Sequence, residues 1–250
     1  YELDADSLLS HAARSLPSTL LAWHYRSRDE TLISFCNQAF YAGRLLTIPT
    51  PQRGEARGEI RMREAADGKR GAHEALARSV SFHRLEGAPY ESRRNPKEAR
   101  YIAELVRELL IASTGMSLGI VAFSEAQQDE IERALNDLAA DDADFRRALD
   151  AELEREEDDQ FCGLFVKNLE NVQGDERDVI LFSICYGPDE VGRVAMAFGP
   201  LSQKGGERRL NVAVTRARRE LIVYSTLTAD QIDLARTKAR GVSDLKTFLS

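Results

Sequence analysis

The stretch LGIVAFSEAQQDEIERALNDLA, residues 118–139, decides the fold class. Leu118–Phe123 is apolar without interruption, as in a strand covered on both faces, and Glu125–Ala139 then reads as a helix. Working back, Asn95-Pro96-Lys97-Glu98 is a helix start: Asn caps, Pro takes the first helical position, and Glu three residues later can reach back. Ala99, Ile102, Leu105, Val106, Leu109 and Leu110 form one apolar face behind it. Earlier still, Thr19–Trp23 and Ser79–Leu85 have strand character. Arg28–Tyr41 carries Leu32, Phe35, Cys36, Ala39 and Phe40 at helical spacing up to Gly43. Working forward, Ala143–Glu157 reads as a second, more exposed helix. Leu164–Val166, Val179–Tyr186 and Leu221–Ser225 are strands, and Arg208–Ala217 is helical. This alternation predicts an α/β fold with a mostly parallel, doubly wound sheet. One domain over 1–250 is expected, with a surface excursion near 49–78 that could carry short strands and an acidic helical segment near 141–159.

Such sheets bind ligands outside the carboxyl ends of their strands. Three polar clusters follow strands here, at 24–27, 124–127 and 168–176, and the chemistry is expected there.

Composition narrows the class. The chain has 250 residues, 43% hydrophobic and 30% charged, which excludes a disordered or collagen-like protein. No apolar run approaches the roughly 20 residues of a membrane helix, and no signal peptide opens the chain. Tyr1 in place of Met leads us to expect a piece of a longer protein. Cys36, Cys162 and Cys185 lack CxxC spacing, and His11, His24, His73 and His83 lack ligand spacing, so buried thiols, a reducing cytoplasm and no metal site are expected. The net charge of −7 is concentrated, because Asp141–Asp159 alone holds ten acids and three arginines. Lys204–Arg219 holds six bases against Glu207. A local basic face of that kind attracts phosphate whatever the total charge.

Three motifs carry chemistry. In RRLNVAVTRAR (208–218), Leu210, Ala213, Val214 and Ala217 make a buried stripe. Arg209 and Arg216, seven apart, share another face of a continuous helix, about 10 Å apart along it. An arginine on a packed helix suits the charge developing on a γ-phosphoryl group, although a solvated basic face has the same pattern. In VQGDERD (172–178), Gly174 allows close backbone approach, Gln173 offers donor and acceptor, and Glu176 could hold a ribose hydroxyl or a magnesium-bound water; a polar tight turn would look alike. In HYRS (24–27), Tyr25 could stack on a purine and Arg26 could contact phosphate, although such pairs also occur at sheet edges.

Taken in order, HYRS, VQGDERDVILFS and RRLNVAVTRAR resemble the C-terminal motifs of superfamily 1 helicases. The resemblance is to the 5′-to-3′ branch, and more closely to a group of large bacterial helicase-like proteins, and it runs from about Leu20 to Ser225. It implies a three-layer RecA-like domain, P-loop NTPase-like but without the P-loop, acting as the second of two motor domains. ATP with Mg²⁺ would lie in the cleft between this domain and an N-terminal RecA-like domain, and single-stranded DNA or RNA would cross both. By the same resemblance Tyr25 and Arg26 contact base and phosphate, and Gln173, Gly174 and Glu176 belong to one nucleotide motif. Arg216 is the arginine finger and Arg209 supports it. Relatives often show Thr-Pro-Tyr before a glutamine that contacts nucleic acid. This chain has Ala122-Phe123-Ser124 and keeps Gln127, so Ser124 and Gln127, with Asn168 where many relatives carry Asp, are the strand-contacting candidates.

No GxxxxGK[ST] occurs: Gly68-Lys69 is followed by Arg70. The chain thus lacks a backbone cradle for the β- and γ-phosphates and, by itself, is expected not to hydrolyse ATP. The competing expectation is a degenerate module serving only as a nucleic-acid- or protein-binding scaffold.

Overall fold

The computed structural model describes residues 12–49, 60–63 and 67–250. Six parallel strands form the sheet: β1 (Ile60–Met62), β2 (Val80–Leu85), β3 (Leu118–Ala122), β6 (Phe165–Asn168), β7 (Arg177–Ser183) and β8 (Ala217–Ser225). Their spatial order is β1-β2-β8-β7-β3-β6, so the chain lays down the outer strands first and places β7 and β8 between them at the centre. A separate antiparallel hairpin pairs β4 (Glu156–Glu157) with β5 (Gln160–Phe161).

Alternate side chains of each central strand enter different cores. Val121, Ile180, Phe182, Leu221 and Val223 pack against α1 (Thr31–Tyr41), α6 (Gly206–Val214) and α7 (Arg240–Phe248). Ile120, Val179, Leu181, Ile222 and Tyr224 face α2 (Gly68–Ala75), α3 (Pro96–Ile111), α4 (Glu125–Asp141) and α5 (Ala143–Leu153). Helices on both faces explain the unbroken apolar reading of β3 and β7. The result is the three-layer α/β RecA-like architecture.

The helix start at 95–98 has the expected cap: Asn95 Oδ1 accepts from Glu98 N at 3.0 Å, with Pro96 in the first turn. Four expectations change. Thr19–Trp23 is not a sheet strand; it meets the rest of the chain by a single parallel bridge between Trp23 and Leu46. The described part of 49–78 is more than a surface excursion, since Ile60, Met62, Ala72 and Ala75 enter the core and β1 is the sheet's edge strand. Residues 50–59 and 64–66 of that segment lie outside the described residues. In the acidic segment the helix stops at Leu153, and Asp158 and Asp159, with φ of 52° and 58°, turn the β4–β5 hairpin. Phe145 and Leu149 bury one face of that helix. Finally, α6 ends at Val214, so Arg216 lies beyond it, in the turn that enters β8.

Candidate nucleotide site at the amino edge of the sheet

Because all six strands run the same way, their starts share one edge. Arg177 opens β7 and pairs with Ala217, which opens β8. Arg177 N donates to Arg216 O at 3.2 Å, so the sheet's own register sets Glu176 beside Arg216. The third segment arrives by backbone bonding: Arg28 N donates to Arg218 O at 2.7 Å, and Ser27 Oγ donates to Ala217 O at 3.4 Å.

Glu176 is the centre of the cluster. Arg26 Nε lies 2.5 Å from Oε2, and Arg218 holds Oε1 with Nε at 3.1 Å and Nη2 at 3.0 Å. Burial alone would raise this carboxyl, but the hydrogen bond from Arg26 and the charges of Arg218 and Arg26 outweigh it and hold the group below its ordinary value. Arg216 is buried. Its Nε donates to Val212 O at 2.8 Å, Nη2 to Thr215 Oγ1 at 3.2 Å and Nη1 to Asp175 O at 3.5 Å. The bonds from Arg216 to Asp175 O and from Arg177 N to Arg216 O bracket Glu176 and set a third guanidinium beside the pair, and burial and then the nearby Arg26 charge push its pKa down. His24 is held low by burial and by Arg26, and its Nε2 accepts from Ser27 N at 3.1 Å.

The loop 169–176 explains how one segment serves two places. It leaves β6 at the carboxyl edge, buries Leu169 and Val172 in the core, and returns to the amino edge at Glu176. Gly174, with φ of +93°, makes the turn that brings the chain into β7. Gln173 and Gly174 are exposed beside it, and Lys167 Nζ pairs with Asp175 at 2.7 Å.

Tyr25 is 85% exposed and belongs to a row. In this extended segment Leu21 (86%), Trp23 (65%) and Tyr25 alternate outward, next to Leu46 and Ile48 across the Trp23–Leu46 bridge. The structure therefore brings Arg26, Glu176 and Arg216 together, with Tyr25 adjoining. It does so at the amino edge, not at the carboxyl ends where ligands of such sheets were expected. Arg209 does not join them. It pairs with Glu170 at 3.2 Å and donates to Pro200 O at 3.4 Å, because the helix that would have aligned it with Arg216 ends first.

The strand-contacting candidates lie at the opposite edge and fare differently. Gln127 is fully buried: Oε1 accepts from Asn95 N at 2.6 Å, and Nε2 donates to Ser183 Oγ at 2.9 Å and Asn95 O at 3.3 Å. Its amide is consumed inside the protein, which corrects its assignment as a nucleic-acid contact. Ser124 caps α4, accepting from Gln127 N at 3.1 Å and donating to Arg93 O at 2.5 Å. Asn168 is half-buried, and its Oδ1 accepts from Glu170 N at 3.1 Å.

Two participants escaped the sequence reading. Arg218, two residues from Arg216, is the second residue of β8 and reaches Glu176 from there. Glu98 was read only as a capping residue. It is fully buried, and its Oε1 accepts from Ser183 Oγ at 2.6 Å and Cys185 N at 3.1 Å. Burial pushes its pKa up to about 8.

Fold and site together define a helicase-like α/β domain of the RecA type. Residues 5–227 match the family model described as "AAA domain", and the chain belongs to that family. It is similar to a Mycoplasma genitalium protein named as an uncharacterized ATP-dependent helicase, 34% identical over 238 residues, and to its Mycoplasma pneumoniae homologue, 32% identical over 243. Each alignment covers 94% of this chain but 18% of the relative, so the chain spans under a fifth of the proteins it matches. Among the described residues, no helix is long and apolar enough to cross a membrane, and no group of three or more His, Cys, Asp or Glu could hold a metal ion.

Proposed function

We propose that this chain is the second motor domain of a superfamily 1 ATP-dependent nucleic-acid helicase or translocase, working in the cytoplasm. It completes an ATP site whose phosphate cradle belongs to an N-terminal RecA-like domain of the same protein. The observation that carries the reading is the convergence of Arg26, Glu176 and Arg216, with Tyr25 exposed beside them, at one sheet edge. Tyr25 offers a face to the base, and Glu176 can accept a ribose hydroxyl once Arg26 leaves it. Arg26 and Arg216 then neutralise the charge that spreads over the transferring phosphoryl group. Gln173 and Gly174, exposed on the adjoining turn, complete the nucleotide contacts.

Magnesium does not fit this chain's own residues. Glu176 is already engaged by two guanidinium groups, and the described residues hold no other acidic cluster suited to a cation. Mg²⁺ is therefore assigned to the partner domain with the phosphates. Single-stranded nucleic acid is assigned to the carboxyl edge near Ser124 and Asn168, gripped through phosphates and stacked bases, so binding is salt-dependent and tolerant of sequence. Travel is 5′ to 3′ by resemblance.

One observation favours the scaffold reading: the donors of Arg216 already have protein acceptors, as in a structural arginine. Arg216→Ala in the full-length protein separates the two. As an arginine finger, its loss lowers nucleic-acid-stimulated ATP turnover by about 10³–10⁵ while leaving the unfolding midpoint close to wild type. Near-normal turnover overturns the motor reading.

A further inference from the structure

Glu176 is shared unequally. Each of its oxygens has its own arginine, and the two arginines stand on supports of different stiffness. Arg26 lies on the irregular segment between the Trp23 bridge and α1, whereas Arg218 is the second residue of β8, with its carbonyl fixed by Arg28 N. Its neighbour Arg219 turns to the other side, where Nε lies 3.3 Å from Asp178 Oδ1, as strand alternation requires. Of this adjacent arginine pair, Arg218 is the one that reaches Glu176.

We propose that Arg218 is a positioning residue for the nucleotide's ribose, an inference that rests on the ATP-site reading above. While the site is empty, Glu176 neutralises Arg26 and holds it near the place a phosphate will take. When the phosphate arrives, Arg26 exchanges one anion for another and vacates Oε2. Arg218, still holding Oε1 by two nitrogens, keeps the carboxylate in place, so Oε2 is free to accept a ribose hydroxyl without turning. Arg218 also leaves Glu176 as a neutral pair. A bare carboxylate at that position would repel the incoming triphosphate.

The test uses the full-length protein and the ratio of kcat/KM for ATP to that for 2′,3′-dideoxy-ATP, which reports the sugar contact and is insensitive to a general loss of structure. One hydrogen bond to the sugar predicts a wild-type ratio of about ten. Arg218→Gln is expected to bring the ratio close to one, mainly by raising KM for ATP. Arg218→Lys, which keeps one cationic donor, is expected to stay within about threefold of wild type. Arg218→Met, which keeps the packing stem, replaces the Gln variant should that variant fail to fold. If Glu176→Ala collapses the ratio and the Arg218 variants do not, the inference falls and the site reading stands. If Glu176→Ala also keeps the wild-type ratio, the ribose contact itself is wrong and both fall.

Discussion

At the amino edge of the sheet, charged side chains face one another with about a third of each in water: the Arg26, Glu176 and Arg218 side chains are 32%, 33% and 41% exposed. At the carboxyl edge, Asn95, Glu98, Gln127 and Ser183 are sealed from solvent and bonded to one another and to backbone. Both clusters are polar, and both draw on residues distant in sequence. The difference lies in what each can exchange. A buried network has no water to replace a lost partner, so its bonds specify the fold. A half-exposed ion pair contributes little to stability, and a competing anion can displace it. Exchangeable partners are what a ligand site needs, and of these two clusters the one at the amino edge has them.

The largest expected contrast comes from Gln127→Ala. It leaves Asn95 N–H and Ser183 short of a partner in the interior, and we expect a loss of about 2–4 kcal/mol in unfolding free energy by urea titration. A loss under about 0.5 kcal/mol would mean the carboxyl edge is as replaceable as the other.

A second measurement uses pH. The folded state keeps a proton on Glu98 up to about pH 8, whereas the free carboxyl releases it near 4.5. The proton-linked stability is therefore complete below pH 4.5 and is lost as pH rises through 8. Glu98→Gln removes that decline, so the variant gains on wild type steadily between pH 5 and 8. Parallel stability curves for the two proteins would show that Glu98 does not titrate as a buried acid.

The smallest effect belongs to Glu176→Gln. Glu176 is depressed, so its contribution is present above the ordinary carboxylate value and fades as pH falls through the folded one. Its screened pairs limit the cost at neutral pH to under about 1 kcal/mol. A cost matching that of Gln127→Ala would erase the distinction between the edges.

Much of this was legible in the sequence, for identifiable reasons. Leu118–Phe123 and Val179–Tyr186 announce strands because helices cover both their faces, although β7 itself ends at Ser183. Asn95-Pro96 announces α3 because a cap is a local device. Arg26, Glu176 and Arg216 were found through motif order, although their edge was not, because a crossover loop can carry one motif from carboxyl to amino edge without any local sign. Arg209 was misplaced by extending a helix past Val214, where β8 draws the chain into extended form. The family resemblance alone assigns Gln127 to strand contact, whereas its burial depends on Asn95 and Ser183, 32 and 56 residues away. Short strands were expected within 49–78, but Ile60–Met62 could not be placed as one because three residues give no period.

The outward row of Leu21, Trp23 and Tyr25 has a practical consequence for anyone who purifies this segment by itself. Apolar side chains aligned along an extended backbone invite self-association, so colloidal behaviour rather than thermal melting should set the usable concentration. Attraction of this origin weakens on cooling, and a turbid preparation should clear on ice and cloud again at room temperature.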